Sequence, residues 1–554
     1  MKRLGLSIVS VLCIGALWAF LVRIYTDLMW KIFRHIVFIT TFKAGIPYLI
    51  SGLCCFIYIR RRKKIQKLSF PKYDIIVTFS VIAFMTVLFF AIHSLPIRLV
   101  YTNIDLANHF QSAMYVFEEG HIGNMHFTAY HHAMILRMLS VFCSGAELYR
   151  AFFIADALMT GLGYLFFVWM LLPKAPKKFL PAAFLLFACG IPLYSYAVGG
   201  FCYWGVGAML SLYCFMLYGE WKKSGKRLFA ILTLLGVISV VFAYYLFLPP
   251  VVLGLMFCLV GDLYRKEELS KKRIFALAGC AALMMLILAV ALRRYFHGST
   301  ELLRRYLSDD GMIFNKIWID FLIPLPFAGY GIYREWKGRK ETPFSIETAG
   351  LAASFLYALG FKILSLGGIA SDYYFNKTLY PLWIFVFILA VRYAKDALSE
   401  RKKVFLPVII AAFFVLLYGN LFSKEKAGAY YESFRGVFGE KRICDEEKVK
   451  LFNSAYLIGE RYNKPIVFIA DNDIYSECLD RAWYDALTGN YSGNSYGWES
   501  DLPLILETLM DKETEYCIIL KDSENFRRYP ELINAFEMEA YNEAGYILRI
   551  RQKG

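Results

Sequence analysis

Among long apolar runs, the stretch NIDLANHFQSAMYVFEEGHIGNMHFTAYHH, residues 103–132, gathers one aspartate, two glutamates and five histidines. Residues 104–118 are helix-forming in type, and a helix places Asp105 and His109 four apart on one face, with Ser112 next along. An acid beside an imidazole can take the proton from an attacking hydroxyl, help worth roughly 10²–10⁴ in rate. The plainer alternative is a loop helix whose aspartate caps or hydrogen-bonds locally. Five histidines also raise a metal, because imidazole is the commonest metal ligand near neutral pH. No pair has the H-x-x-x-H or H-E-x-x-H spacing of a zinc helix, so no metal site is assigned. No cofactor is implied with certainty, and a divalent cation stays open.

Two further segments carry cations that an anion would meet. RRYFHGSTELLRRYLSDDGMIFN (293–315) sets Arg293, Arg294, Arg304 and Arg305 close in sequence, and guanidinium pairs phosphate oxygens two at a time. Such a cluster suits the phosphate or pyrophosphate head of a lipid. It suits equally a solvated helix in which the arginines pair with Glu301, Asp309 and Asp310. GGIASDYYFNKTLYPLW (367–383) reads as a loop bringing Asp372, Tyr373, Tyr374 and Lys377 to the start of an apolar run. There the lysine can touch a leaving phosphate, and the tyrosines are also what a membrane interface collects. RAWYDALTGNYSGNSYGWES (481–500) mixes Trp483, Tyr484, Tyr491, Tyr496 and Trp498 with Asn, Ser and Gly. Read as exposed, those rings would stack on sugar faces; read plainly, they form a surface loop.

The elements that carry these residues follow from composition. The 554-residue chain is 58% hydrophobic, 18% aromatic and only 19% charged, which excludes an average water-soluble globule and indicates a polytopic membrane protein. The net charge of +16 sits in short Lys/Arg clusters between apolar runs, the pattern of orientation signals and not of a nucleic-acid surface. The 12 cysteines show no C-x-x-C or Cys/His metal spacing, and most lie in apolar runs such as LISGLCCFIYI. The opening MKRLGLSIVSVLCIGALWAFLVRIYTD has a basic start and an apolar stretch of near membrane length with no small-x-small cleavage site after it, so it reads as a retained span.

Spans of about 20 mainly apolar residues fall near 4–22, 44–60, 74–94, 149–171, 180–197, 204–219, 228–247, 250–264, 274–292, 316–333, 346–366, 379–394 and 404–421. One alternating set of connections carries RRRKKIQK, PKAPKK, EWKKSGKR, YRKEELSKKR, REWKGRK and RYAKDALSERKK, which the positive-inside tendency makes cytoplasmic. The N-terminus is then cytoplasmic; residues 103–132, 293–315 and 367–383, and the tail after 421, lie outside. The interspersed charges of 23–43 suit an interfacial amphipathic helix. Charged residues inside spans are costly and so informative by position. Arg150 opens a span, Asp156 lies about two turns into it, and Asp320 and Lys362 sit about one turn from an end. Snorkelling or helix pairing is the plain account of Arg150 and Lys362.

From about residue 425 the apolar runs shorten to strand length, as in PIVFIAD (465–471) and EYCIILKD (515–522), with helix-like DEEKVKLFNSAYLIGERY and DLPLILETLMD between and around them. FEMEAYNEAGYILRIR reads as two strands about an Asn-Glu-Ala-Gly turn. The expected fold is therefore mainly α: about 13 transmembrane helices with a small extracytoplasmic α/β domain at the C-terminus. The expected division is 1–73 for N-terminal membrane helices, 74–421 for the main membrane region and 422–554 for the α/β domain. No two halves match, which disfavours an inverted-repeat transporter.

An acidic residue shortly after an early span (YTNIDLANHF), a stretch ending in a small-residue break (FTAYHHAMILRMLSVFCSG) and an arginine opening the next span (ELYRAFFIADAL) resemble the first outer loop of GT-C-type membrane glycosyltransferases. In layout the resemblance covers roughly residues 74–421; in local detail it covers 101–160 and DYYFNKTLYPLW. It implies transfer of a sugar from a polyprenyl-phosphate donor to a glycan or lipid acceptor on the outer face of the plasma membrane, in cell-envelope polysaccharide assembly. By that resemblance Asp105 is the catalytic or acceptor-orienting acid, with His109 beside it. Arg293, Arg294, Arg304, Arg305 and Lys377 hold the donor phosphate, and His131, His132, Arg150, Asp156, Asp372 and Tyr373 line the substrate cavity. The chain departs from the pattern in having Tyr130-His131-His132 where many members have Tyr-Pro-Pro, and in two extra spans ahead of the usual first. Two other classes use the same residues: a transporter or flippase of lipid-linked saccharide, and a polysaccharide polymerase or ligase acting on pyrophosphate-linked oligosaccharide.

Overall fold

A computed structural model describes residues 72–94, 104–119, 148–265, 317–338, 345–418, 428–438, 445–469, 476–488 and 515–550, give or take a few single positions such as His132. The expected spans at 4–22, 44–60 and, save Gly279, 274–292 lie outside the described residues, as do 23–43, His131, Arg293, Arg294, Arg304 and Arg305. In chain order the helices are α1 Lys72–His93, α2 Ile104–Glu119, α3 Leu148–Leu171, α4 Leu180–Cys189, α5 Ile191–Ala197, α6 Tyr203–Ser224, α7 Arg227–Tyr244, α8 Leu248–Arg265, α9 Pro324–Lys337, α10 Ile346–Leu366, α11 Asp372–Leu417, α12 Ala429–Phe438, α13 Glu446–Tyr462, α14 Ser476–Thr488, α15 Glu524–Arg528 and α16 Leu532–Ala535. The strands are β1 Ile466–Ile469, β2 Ser495–Tyr496, β3 Tyr516–Leu520, β4 Glu537–Tyr541 and β5 Gly545–Arg549.

Five stretches among the described residues are long and apolar enough to cross a bilayer: Lys72–His93, Leu148–Leu171, Tyr245–Asp262, Ile346–Leu366 and Asp372–Arg401. The bent pair Lys177–Cys189 and Ile191–Ala197 makes a sixth if it is one span. These helices are compatible with embedding in a membrane. Arg227–Val240 and Lys403–Leu417 are apolar but shorter. The expected span at 316–333 is instead a 3-10 turn, Ile317–Phe321, followed by α9, whose last turn carries Arg334 and Lys337. The expected span at 204–219 is α6, whose residues Tyr203–Tyr218 are all buried by protein. That burial explains the Gly, Ser and Tyr in its sequence, which a lipid-facing helix would not favour.

The chain divides into two compact units, each built from separated segments: Met1–Leu88 with Asp156–Gly439, and Phe89–Ala155 with Glu440–Gly554. In the first, α3 and α6 approach so closely that a Cβ on Gly205 would lie 2.5 Å from the Thr160 Cα, and one on Gly163 3.0 Å from the Gly205 carbonyl oxygen. Small residues at such crossings let helix backbones pack without intervening side chains. The 46° bend between α4 and α5 falls at Gly190, where a Cβ would strike the buried Trp383 ring. Trp383 also donates its indole N–H to the Phe187 carbonyl at 3.3 Å, in the last turn of α4.

The basic connections of this unit meet at one end of its helices. Lys174, beyond α3, pairs with the fully buried Glu347 at the start of α10, and Arg392 of α11 lies 3.1 Å from Glu347 and 3.6 Å from Glu335 of α9. Tyr393 donates to Glu335 at 2.8 Å, and the Ser345 N–H donates to the same carboxylate. Lys222 of α6 pairs with Asp262 of α8, Arg334 with Glu400 at 3.0 Å, and Tyr73 of α1 donates to the Lys177 carbonyl. Described residues beside several of the basic segments thus pair with one another at this end.

The second unit contains a five-stranded sheet in the order β2-β1-β3-β5-β4, parallel between β1 and its neighbours β2 and β3 and antiparallel from β3 through β5 to β4. The strands expected at 465–471 and 515–522, and the hairpin about Asn542, form as read. Alternation along β1, β3 and β5 sends Phe468, Ile518 and Ile547 to one face with Phe452 and Tyr484, and Val467, Cys517 and Leu548 to the other with Phe526 and Phe536. Both faces are covered, which accounts for the continuously apolar β1 and β3.

Candidate functional site

Helix α2 forms where its residue types place it and carries Asp105 in its first turn, where a carboxylate suits the positive end of the helix dipole. Asp105 is half-buried, and His109 one turn on is buried with Ser112. Its neighbours Leu106, Ala107, Phe110 and Ala113 are buried too, so α2 is enclosed on most of its circumference. Phe110 meets Phe152 of α3 edge-on at 5.3 Å and Trp483 of α14 at 5.9 Å. His132 is buried with its ring 5.3 Å from that of Phe152. His93, a residue the sequence did not single out, stacks on Phe153 at 4.4 Å. Two histidines therefore lie against successive phenylalanines at the start of α3. Among the described residues no three His, Cys, Asp or Glu side chains come together as a metal site.

In the first unit, Lys377 is 6% exposed and its ammonium is ringed by aromatic faces: Tyr373 at 4.2 Å, Phe201 at 4.8 Å, Tyr203 at 5.5 Å and Tyr374 at 5.8 Å from the ring centroids. A ring face is negative, so each of these faces attracts the cation. Tyr203 stacks in turn on Tyr244 at 4.2 Å. The cage is built from Phe201 just before α6, the first residue of α6 and the first turns of α11, with Tyr244 at the end of α7 behind Tyr203. Those turns are a correction to the expected loop at 367–383: α11 begins at Asp372, behind Ser371 in extended backbone, so Tyr373, Tyr374 and Lys377 sit on a helix. An aspartate at the first position favours that early start.

The other expected residues separate. Asp372 faces solvent, 2.7 Å from Lys362 and accepting a hydrogen bond from Ser365, as an exposed ion pair. Asp156 is buried on α3 and acts electrostatically on Tyr196 of α5. Arg150 is half-buried and donates to the Tyr149 hydroxyl at 3.1 Å. Asp320, fully buried, accepts from the Ala429 N–H at 2.8 Å and so caps α12. Tyr373 and Lys377 are thus brought together, and Asp105 and His109 share a helix.

The aromatic segment of the tail needs a second correction. Trp483 and Tyr484 are fully buried, not exposed to sugars. They lie on α14, and successive helical positions point about 100° apart. Trp483 meets Phe110 and, at 6.3 Å, Phe153, whereas Tyr484 packs on Phe452 and Phe468 and donates its hydroxyl to the Ile466 carbonyl at 2.7 Å. Asp485, next along, is largely buried, which pushes its carboxyl up to about 6 against a weak pull from Arg481 at 3.7 Å. Lys448 of α13 is drawn down by burial, yet Asp480 of α14 at 2.9 Å and Asp522 at 2.8 Å hold it above the usual lysine range.

No protein-family model matches the sequence, and no curated protein matches it.

Proposed function

We propose that the chain is a membrane glycosyltransferase that moves a sugar from a polyprenyl-phosphate donor to a glycan or lipid acceptor on the outer face of the membrane. The observation that carries this reading is Lys377, an ammonium buried in an apolar helical unit near the start of a bilayer-length helix. Ionisable groups in such positions are costly and mark substrate paths. The convergence of the basic loops at one helix end supports reading that end as cytoplasmic and the Lys377 end as outer. In transfer, the acceptor oxygen bonds to the anomeric carbon, the bond from that carbon to the phosphate oxygen breaks, and the phosphate leaves with the electron pair. By the sequence resemblance alone, Lys377 supplies positive charge to the departing phosphate, and Asp105, with His109 beside it, takes the acceptor proton. The arginines of 293–315 add to phosphate binding.

The test is transfer by the purified full chain, with polyprenyl-monophosphate and polyprenyl-diphosphate sugars offered in parallel. Lys377→Met keeps the length of the side chain and removes its charge; Asp105→Asn keeps the shape and removes the base. Each is expected to cut transfer from the monophosphate donor by roughly 10²-fold or more with folding intact. Unimpaired transfer by both variants sinks the assignment. Preference for the diphosphate donor points instead to the polymerase or ligase class.

A further inference from the structure

We infer that the C-terminal α/β region is the positioning element of the Asp105–His109 helix, and that Trp483 is its contact residue. Helix α14 is held to the sheet on one side: Tyr484 fills the core between Phe452 and Phe468 with its hydroxyl on the Ile466 carbonyl, and Asp480 is clipped to Lys448. On another side the same helix packs along α2, where Trp483, fully buried, lies against Phe110 and Phe153. Phe110 is adjacent to His109 and little more than one turn from Asp105. A rigid chain of contacts therefore runs from the sheet through α14 and Trp483 to the turn of α2 that carries the acid and the imidazole. All of it lies within one compact unit, although Phe89–Ala155 and Glu440–Gly554 are far apart in sequence. An indole is large and flat, so its loss frees α2 to shift by a side-chain radius. A displacement of about 1 Å at a reacting group can cost roughly 10²-fold in rate.

The packing claim stands on geometry; its consequence for transfer rests on the reading of Asp105 given above. The experiment measures hydrogen exchange and sugar transfer on the full chain carrying Trp483→Ala, Trp483→Phe or Phe110→Leu. Trp483→Ala is expected to raise exchange across residues 104–119 by ~10-fold or more while β1, β3 and β5 keep their protection. In transfer it lowers kcat by about 10–10²-fold with little change in KM for the donor. Trp483→Phe, which still reaches both phenylalanines, restores most of both. If Trp483→Ala exposes the sheet as well, Phe110→Leu decides, since it leaves the sheet core untouched and is expected to loosen residues 104–119 in the same way. Unchanged α2 exchange in Phe110→Leu, or a rescue by Trp483→Phe that restores the sheet but not α2, overturns the inference. Loosened α2 together with normal transfer by Asp105→Asn would leave positioning intact and remove the catalytic reading.

Discussion

Replacing Asp485 by asparagine is expected to stabilise the C-terminal sheet region, and only above a definite pH. The carboxyl is largely buried on α14 and its Oδ1 has no hydrogen-bond partner among the described residues, while Arg481 at 3.7 Å compensates weakly. Burial raises its pKa from the ordinary 3.8 to about 6. A carboxyl whose folded value is raised binds its proton more tightly when folded. Its favourable contribution is therefore complete below about pH 4 and is lost as pH rises through 6. Two units correspond to about 3 kcal/mol, or roughly 10² in the opening equilibrium. Asparagine carries no charge at any pH, so the ratio of variant to wild-type protection should be flat below pH 4 and climb by about 10² by pH 7.5. Amide exchange of β1 and β3 in the full chain, corrected for intrinsic rates, reads that ratio. A constant ratio from pH 4 to 7.5 would refute the burial argument, whatever its size.

Gly205→Leu should drive α3 from α6, because even a Cβ would lie 2.5 Å from the Thr160 Cα, and lost thermal stability of about 1–3 kcal/mol or failure to fold is expected. Gly261→Ala, inside α8 with nothing within 4 Å of the added carbon, should unfold at or slightly above the wild-type temperature, because alanine is the better helix former. In the polar network, Arg392→Ala should destabilise more than Lys174→Ala, since Arg392 serves both Glu347 and Glu335 whereas Lys174 serves Glu347 alone. The loss expected for Arg392→Ala approaches the ~3–5 kcal/mol of a broken buried pair, and melting curves in detergent that reverse the order would contradict it. Lys362→Ala breaks a pair whose side chains are 37% and 54% exposed and should cost about 1 kcal/mol or less by the same assay.

What the sequence displayed was local. Apolar length marked α1, α3 and α10, and strand-length runs with an Asn-Glu-Ala-Gly turn marked the sheet, because each depends on residues within one segment. The α2 helix with Asp105 and His109 was legible for the same reason. What stayed hidden depends on contacts between distant segments. Nothing near Trp483 says that it meets Phe110, since the Gly, Asn and Ser that follow it in sequence make the segment read as a loop. Tyr373 and Lys377 read as interfacial loop residues until Phe201 and Tyr203 close the cage around the ammonium. His93 carried no signal beyond a lone imidazole at the end of an apolar run, and its partner Phe153 follows 60 residues later. The reach of α11 back to Asp372, an aspartate in its first turn, was outvoted in a hydropathy reading by the polar residues around it.

The discontinuous second unit also sets an order of events during synthesis. Residues 89–155 emerge early, but the tail that covers Phe110 and Phe153 begins at Glu440, after the whole of Asp156–Gly439 has been made. At ~5–20 residues per second, the early segment waits roughly 15–60 s for Trp483. During that interval its aromatic face is bare, a target for holdases and proteases. Termination between codons 440 and 482 would release a chain that holds all of Asp156–Gly439 but lacks Trp483. The docking of one indole is thus a late checkpoint at which a finished molecule differs from a truncated one.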